Sequence, residues 1–380
     1  MEPIDAKFVV LGAGAMGAAT AYHLTRRGEP VTLVEQFALG HDRGSSHGAA
    51  RIIRHSYADP VYARLMTAAF EAWRALESDA GTPLYIRTGG VSMSPEGADY
   101  ASRVAASLGE LGVAHRTMTG AQWNRCNPAF SLPATHDVVY EPDAGILAAA
   151  RAVAVQIELA RAHGGARTHV LTETPVRRID LEGSRPVVIG DRLSLAAERL
   201  IVTAGAWVAH LVPQLPVPLR VTRQQVLYFQ PADPAPYRVG TLPVFIYKGK
   251  SEEDAFYGMP EYQGLGVKVA RHYGPETDPD AFDPTVGEPY RDIVRGFLRT
   301  HLPGLADAPI NLTETCLYTV APGEEFLLDF LPGRTDVIVA SPCSGHGFKF
   351  SCLIGQVLAE LAMSGERTVV GEAWKMPVRA

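Results

Sequence analysis

A glycine-rich turn near the amino terminus constrains the fold more than any other feature of the sequence. The pattern Gly-x-Gly-x-x-Gly at residues 12–17 directly follows the apolar run 8–11. A helix-like stretch, a second apolar run at 31–34 and the acid Glu35 come next. This order of strand, tight turn, helix, strand and carboxylate is typical of the unit that binds the ADP half of a dinucleotide.

The residue types in this unit suit that ligand. Glycines let the backbone approach a pyrophosphate closely, and the helix amino terminus offers free N–H groups to the anion. We expect Glu35 to accept hydrogen bonds from the adenosine ribose hydroxyls. A carboxylate there repels a 2′-phosphate, and Gln36 supplies no positive charge. NADP is therefore disfavoured, and FAD and NAD remain.

Composition excludes several other classes of partner. The chain has 380 residues, 47% of them hydrophobic and 20% charged, which is enough for two globular domains. A net charge of −6 argues against nucleic acid, and no apolar run is long enough to cross a membrane. The amino terminus lacks signal-peptide features. Four scattered cysteines form no zinc motif and suit a reducing cytoplasm, where we place the protein.

The elements of a nucleotide-binding fold recur late in the chain. Residues 198–207 read as a buried strand that ends in a small-residue turn, and 336–340 read as a second strand before a helix at 352–363. Between them, residues 216–320 are rich in proline and aromatics and predict mostly antiparallel sheet. Amphipathic patterns predict helices at three further places. These places are 62–76, 100–111 and 147–162.

Four separated segments together resemble the family of monomeric sarcosine oxidases and N-methyltryptophan oxidases, which are flavoproteins. They are the fingerprint with Glu35, residues 44–55, residues 266–268 with His272, and residues 316–319 followed by 344–350. The resemblance implies an α/β fold with a Rossmann-like FAD-binding domain, discontinuous in sequence, and a substrate domain dominated by a mixed or antiparallel β-sheet. The predicted ranges are 1–80, 145–215 and 321–380 for the FAD domain, and 81–144 and 216–320 for the substrate domain.

The resemblance also implies roles for individual residues near a substrate carboxylate. Arg54 and Lys349 would hold it, Arg51 would lie close to the flavin, and Tyr257 and Tyr318 would line the pocket with aromatic hydroxyls. Independently of the family, an arginine guanidinium is a planar fork that grips a carboxylate through two hydrogen bonds. A solvated surface arginine is the alternative interpretation of Arg54. We also place Ile246 among the substrate-binding residues.

Two further roles concern the flavin and oxygen. In the family, the lysine that matches Lys268 lies over the reactive edge of the flavin and promotes reaction with O2, and His272 resembles the active-site histidine. A fixed cation there stabilises the negative charge that develops as O2 accepts an electron. Cys316 resembles the cysteine that bonds covalently to the flavin; a buried inert cysteine is the alternative. The predicted cofactor-binding residues are Gly12, Gly14, Ala15, Met16, Gly17, Glu35, Gln36, Arg43, Ser45, Ser46, Arg51, Val176, Ala204, Gly205, Trp207, Cys316, Gly345, Gly347, Phe348 and Lys349.

These observations lead to one functional hypothesis and two alternatives. The hypothesis is a monomeric FAD-dependent oxidase of a secondary amino acid, N-methyl or cyclic, that yields an imine and hydrogen peroxide. The alternatives are a dehydrogenase of the same fold with another electron acceptor, and a flavin-binding subunit without amine turnover. Gly323, Glu325 and Cys343, together with the charged loop 248–254, depart from the residues of relatives. We therefore expect a pocket that admits substrates bulkier than N-methylglycine.

Overall fold

The computed structural model describes residues 2–281, 283–366 and Trp374. Within these residues the chain folds into nineteen strands and nine α-helices. The helices are α1 (Ala15–Arg26), α2 (Pro60–Ala80), α3 (Tyr100–Glu110), α4 (Gly120–Cys126), α5 (Ala149–Gly164), α6 (Val208–Leu211), α7 (Glu288–His301), α8 (Pro303–Ala306) and α9 (Ser351–Ser364). The strands are β1 (Ile4–Leu11), β2 (Val31–Val34), β3 (Ala50–Ile53), β4 (Tyr85–Arg87), β5 (Gly90–Ser94), β6 (Arg116–Thr119), β7 (Asp137–Glu141), β8 (Gly145–Ala148), β9 (Thr168–Leu171), β10 (Val176–Asp180), β11 (Val187–Gly190), β12 (Ser194–Val202), β13 (Arg220–Phe229), β14 (Val244–Lys248), β15 (Ala255–Met259), β16 (Val267–Arg271), β17 (Ile310–Val320), β18 (Leu327–Phe330) and β19 (Val337–Ser341).

The first sheet has a parallel centre formed by the segments that the fingerprint predicts. β1 pairs in parallel with β2 on one side and β12 on the other, and β9 extends the sheet beyond β2. The second half of β12 pairs in parallel with β19, while its first half pairs with the antiparallel strand β11. Two predictions are thereby confirmed: the α/β fold class, and the late return of the chain to the nucleotide-binding sheet.

The centre of this sheet is buried on both faces. Phe8 and Val10 of β1 pack with α1, α2, α5 and α9, whereas Val9 and Leu11 pack into a separate cluster on the opposite face. A parallel strand covered on both sides reads as a continuous apolar run, because no residue of it meets water. This explains why residues 8–11 alternate so little in polarity.

The second sheet is mixed, and its order is β17-β13-β16-β15-β14-β5-β7-β6. Its pairs are antiparallel except for the parallel pair β14 and β5. Side chains alternate between its faces, so Val267 and Val269 pack into a core with α7, whereas Lys268 points to the other face. That other face carries most of the predicted catalytic side chains.

Two predictions about helices need correction. The helix expected at 147–162 begins at Ala149. Leu147 and Ala148 belong to strand β8 instead, where both pair with β3 and Leu147 also pairs with β4. Helix α7 was not predicted within 216–320. Its buried residues recur every three to four positions, from Tyr290 through Val294 to Phe297, as an amphipathic helix requires. The proline-rich composition around it obscured that period.

We propose the two-domain division on the ground that the two large sheets share no strand. The first uses residues 4–34, 168–202 and 327–341; the second uses 90–141, 220–271 and 310–320. A small third sheet, β3-β8-β4, takes strands from both sides of the proposed division. Met1 and residues 367–373 and 375–380 of the predicted FAD domain lie outside the described residues. No helix in the described part of the chain is both long and apolar enough to span a membrane.

Candidate active site

A cavity of ≈ 1400 Å³ lies where the first sheet meets the second. The carboxyl ends of β1, β2 and β12 form one part of its wall, at Gly12, Glu35 and Thr203, and one face of the second sheet forms another. Ligands of open α/β sheets bind at the carboxyl ends of the strands. A site for one small molecule usually measures about 300–1,000 Å³, so this cavity has room for a dinucleotide and a second ligand.

At Gly12 and Gly17 the glycine turn packs so closely against neighbouring backbone that a side chain would not fit. Gly12 has φ +96°, and a Cβ there would lie 2.6 Å from the carbonyl oxygen of Thr203. A Cβ on Gly17 would lie 1.8 Å from the carbonyl oxygen of Gly12. These contacts bring the start of α1 against the strand ends, so that its first turn faces the cavity. The arrangement fits the close backbone approach that a pyrophosphate needs.

Glu35 is buried and held in place at the end of β2. Its carboxylate accepts hydrogen bonds from the backbone N–H of Ala13, at 2.8 Å, and of Phe37, at 3.0 Å. Burial raises the pKa of Glu35, but hydrogen bonds from His41 and these two amides outweigh it and lower the pKa below its ordinary value. An ionised carboxylate at the cavity wall is a suitable acceptor for ribose hydroxyls, and the residues present fit FAD.

The cavity brings together most of the predicted site residues. All the predicted catalytic and substrate-binding side chains line it. Eighteen of the predicted cofactor residues also line it, namely Gly12, Gly14, Ala15, Met16, Glu35, Gln36, Ser45, Ser46, Arg51, Val176, Ala204, Gly205, Trp207, Cys316, Gly345, Gly347, Phe348 and Lys349. Gly17 instead packs inside the turn, and exposed Arg43 lies 5.8 Å from the ring centre of Phe37.

Lys268 is 3% exposed, and its Nζ donates to the carbonyl oxygen of Ala50 at 3.3 Å. Burial and the nearby charge of Arg51 lower the pKa of Lys268 to about 7, against the opposite effect of Glu314. Arg51 donates to the carbonyl oxygens of Ala50, Ser45 and His47. Backbone oxygens thus fix the guanidinium next to Lys268, and the two side chains place positive charge at one end of the cavity.

Cys316 and Tyr318 lie two residues apart on β17, so both face the cavity. Burial raises the pKa of the Cys316 thiol, although Arg51 and Lys268 act in the opposite direction. The His272 ring lies 5.4 Å from the Tyr318 ring and 6.0 Å from the Tyr257 ring. Burial and nearby cations lower the pKa of His272 to about 3, so this imidazole is neutral at neutral pH. The part of the pocket that His272, Tyr257 and Tyr318 line is therefore aromatic and uncharged.

Arg54 and Lys349 come from opposite ends of the chain, and both contact Tyr57. The guanidinium of Arg54 lies 4.4 Å from the ring centre of Tyr57, and its Nε and Nη1 atoms are buried without a hydrogen-bond partner. Lys349 donates to the Tyr57 hydroxyl at 2.9 Å and to the carbonyl oxygen of His346 at 2.8 Å. Burial and the charge of Arg54 lower the pKa of Lys349. Buried N–H groups without partners are costly, and a carboxylate beside the guanidinium would accept a hydrogen bond from one of these two nitrogens.

A buried carboxylate fixes the chain immediately after Arg54. Glu141, at the end of β7, is fully buried and accepts from the backbone N–H of His55 at 2.9 Å and of Ser56 at 3.0 Å. The His55 Nδ1 lies 2.8 Å from the same carboxylate, and the Ser56 hydroxyl also donates to it. We infer that Glu141 positions Arg54 without contacting the substrate itself.

We expect Glu141→Gln to lower the free energy of unfolding by about 1–3 kcal/mol. The amide nitrogen of the glutamine would take the place of a carboxylate oxygen and cannot accept the hydrogen bonds that this oxygen accepts. Burial raises the pKa of Glu141, but hydrogen bonds from His55 and Ser56 and the charge of His55 lower it overall. Its contribution is therefore present above pH ~4.3 and is lost as the pH falls below that value.

Denaturant unfolding at several pH values tests this. The difference in free energy of unfolding between wild type and Glu141→Gln should become smaller as the solution is acidified. Glu110→Gln, at an exposed carboxylate of α3, should change stability by less than about 0.5 kcal/mol. A gap that is absent at neutral pH, or equal in both variants, would contradict the assigned role of Glu141.

Sequence reasoning missed Tyr57, Glu141 and Glu314. Glu314 accepts a hydrogen bond from the Tyr228 hydroxyl at 2.6 Å and lies beside Gly48. The only sequence signal for it is an acid two residues before Cys316 on the same strand face. No local signal exists for Glu141, whose partners lie 85 residues earlier.

Comparisons with known proteins identify the family to which the chain is similar. The family model DAO, FAD-dependent oxidoreductase, matches residues 7–361. The monomeric sarcosine oxidase of Bacillus sp. (strain NS-129) is 33% identical over 366 residues, which cover 94% of this chain and 93% of that protein. The human peroxisomal sarcosine oxidase is 33% identical over 372 residues, 93% and 91% of the two chains.

A solved structure gives the same architecture. The open form of NikD, an unusual amino acid oxidase essential for nikkomycin biosynthesis, matches with a TM-score of 0.85 over 98% of this chain and 97% of that chain. The two sequences are 23% identical, so this match shows the fold alone.

Proposed function

Because the chain belongs to the DAO family of FAD-dependent oxidoreductases, we propose that it oxidises a secondary amino acid such as sarcosine. One observation supports the substrate class above the others. Arg54 offers two buried nitrogen atoms without a partner, beside Lys349, whose pKa is lowered by burial and by the charge of Arg54. A guanidinium and a lysine side by side in an aromatic pocket fit the carboxylate of an amino acid, whose negative charge favours the protonated lysine.

The chain's own side chains bind and orient this substrate. Arg54 and Lys349 hold the carboxylate, and Tyr57 keeps Lys349 in place. The neutral ring of His272 and the hydroxyls of Tyr257 and Tyr318 surround the amine. FAD, when bound, supplies the acceptor for a hydride equivalent from the carbon next to the nitrogen, and the resulting imine hydrolyses in water.

Oxygen is the proposed electron acceptor. Lys268 is a buried lysine held by the Ala50 carbonyl, close to Arg51, and it carries a positive charge below its lowered pKa of about 7. Such a fixed charge stabilises an oxygen molecule that becomes negative as it accepts an electron. This favours an oxidase that forms hydrogen peroxide over a dehydrogenase that needs another acceptor. The monomeric state and the cytoplasmic location remain predictions.

The test of this function is anaerobic mixing of the purified enzyme with sarcosine, with proline and with glycine. We expect the secondary amines to bleach the flavin absorbance and glycine to do so far more slowly. Admission of air should restore the flavin spectrum and release one peroxide for each amine oxidised. Bleaching without reoxidation by air would favour the dehydrogenase, and no bleaching by any secondary amino acid would contradict the proposal.

We propose further that the flavin is linked covalently to Cys316. The thiol lines the cavity near Arg51 and Lys268, whose positive charges favour its thiolate form against the effect of burial. After acid denaturation we expect the flavin of wild type to stay with the precipitated protein. Cys316→Ala should release the flavin into the supernatant.

Cys343→Ala is the matched control for this prediction, since Cys343 also lines the cavity but accepts a hydrogen bond from the Thr319 amide at 3.5 Å. That variant should retain its flavin under acid. Yellow colour entirely in the wild-type supernatant would exclude the covalent bond and leave FAD binding itself intact.

A further inference from the structure

We propose that Lys248 forms a second anion-binding position in the substrate pocket, so that the preferred substrate is a secondary amino acid with a second carboxylate. This inference rests on the proposed function and narrows its substrate class. Lys248 is the last residue of β14 and lines the cavity.

The alternation of β14 determines where this lysine points. Phe245 and Tyr247 pack into the core with α7, whereas Ile246 and Lys248 line the cavity on the opposite face. Lys248 pairs with Ala255 across the sheet, and the carbonyl oxygen of Ala255 accepts a hydrogen bond from the His272 amide at 2.7 Å. Lys248 and His272 thus sit at the same end of the sheet.

The ammonium group of Lys248 has no carboxylate partner among the residues that the structure describes. Its Nζ lies 5.4 Å from the ring centre of Tyr100, a residue that is itself 8% exposed. Two of the acids that follow it in the chain contact other groups, whereas Glu252 lines the same cavity but forms no ion pair with Lys248 in the described part of the chain. Glu253 pairs with Arg271 at 2.9 Å, and Asp254 folds back against Gly249.

Three basic side chains lie near one imidazole at this part of the cavity. Lys248, Lys349 and Arg54 all lie close enough to His272 to disfavour its protonation, with burial the larger cause. A monocarboxylate bound by Arg54 and Lys349 leaves Lys248 without a counter-ion in a partly desolvated place. A second carboxylate on the substrate would pair with it, on either the side chain or the nitrogen substituent.

Turnover of matched amines tests this inference. One pair is N-methylaspartate and N-methylasparagine, and the other is a bis-carboxymethyl amine and its monoamide; the members of each pair differ by one charge at similar volume. For at least one pair, we expect wild type to show a kcat/KM about 10- to 150-fold higher for the dicarboxylate. Lys248→Met should remove that preference and leave sarcosine turnover within a few-fold of wild type.

Lys250→Met is the matched control, because Lys250 is an exposed lysine of the adjoining loop. It should retain the preference for the dicarboxylate. If both variants lost the preference for the dicarboxylate equally, the effect would come from the general positive charge of this region. Such a result would overturn the proposal that Lys248 contacts the second carboxylate.

A binding measurement separates this inference from the proposed function. Sulfide analogues, with sulfur in place of the amine nitrogen, cannot be dehydrogenated to an imine; their binding is followed through the flavin absorbance of the holoenzyme. The dicarboxylate sulfides should bind about 10- to 150-fold more tightly than their monoamides to wild type, and equally to Lys248→Met.

The two failures then differ. If no secondary amino acid reduces the flavin, the proposed function falls, and the sulfides still decide whether Lys248 binds an anion. If sarcosine is oxidised but neither dicarboxylate is preferred to its monoamide in turnover or binding, the Lys248 inference is overturned and the function stands.

Discussion

Lys268→Met should slow the reaction of reduced enzyme with O2 by about 100- to 1000-fold, which is the cost of losing one electrostatic contact aimed at a developing charge. Methionine keeps a similar length and removes the charge. The rate of anaerobic flavin reduction by the amine should fall much less, because Arg54 and Lys349, not Lys268, hold the substrate carboxylate. Stopped-flow absorbance resolves the two half-reactions separately.

The pH dependence of the oxygen reaction gives a second readout. The buried ammonium of Lys268 loses its proton as the pH rises through its lowered pKa, about 7 without a bound anion. The wild-type rate should therefore fall at high pH, while the rate of Lys268→Met stays flat. If both half-reactions slowed equally in the variant, Lys268 would have a general positioning role.

Arg54→Ala should lose most of the enzyme's preference for an amino acid over its uncharged amide. Removing a charge-assisted hydrogen bond costs roughly 1.5–3 kcal/mol, or about 10- to 150-fold in binding. The measurement compares kcat/KM for sarcosine and sarcosine amide in wild type and variant. Wild type should strongly prefer the carboxylate.

Arg54→Lys is the informative companion variant. It keeps the charge but lacks the planar fork that lies over the Tyr57 ring at 4.4 Å, so it should recover only part of the preference. Full recovery would mean that charge alone suffices. Equal oxidation of sarcosine and its amide by wild type would contradict both the carboxylate clamp and the amino-acid substrate class.

The parts of the fold predicted correctly from sequence depend on local patterns. The turn at 12–17, the strands beside it and the amphipathic helix α2 follow from spacing along a short stretch of chain. Helix α7 was missed because its polar positions and the surrounding prolines masked the helical period. The start of α5 was placed two residues early because alanine-rich sequence gives no signal for the strand pairing that takes Leu147 and Ala148.

The candidate site was predictable where the family resemblance supplied motifs and not elsewhere. Arg54, Lys268 and Lys349 lie in recognisable segments, and all three line the cavity. Tyr57 was missed because its role exists only once Lys349, 292 residues away, reaches its hydroxyl. Glu141 was missed for the same reason. Contacts between distant segments depend on the packing of whole sheets, which spacing in one sequence does not reveal.

The two-residue alternation in the second sheet has a consequence for how such an enzyme can change its specificity. On β14, Phe245 and Tyr247 maintain the core, whereas Ile246 and Lys248 face the pocket. Replacing a pocket-facing residue leaves Phe245 and Tyr247 in place, and mutational tolerance should be greatest at the alternate, pocket-facing positions when the new side chain keeps the contacts that Ile246 and Tyr257 make with smaller buried clusters. A combinatorial library limited to 246, 248 and 257 would therefore explore new amine substrates among variants that still fold.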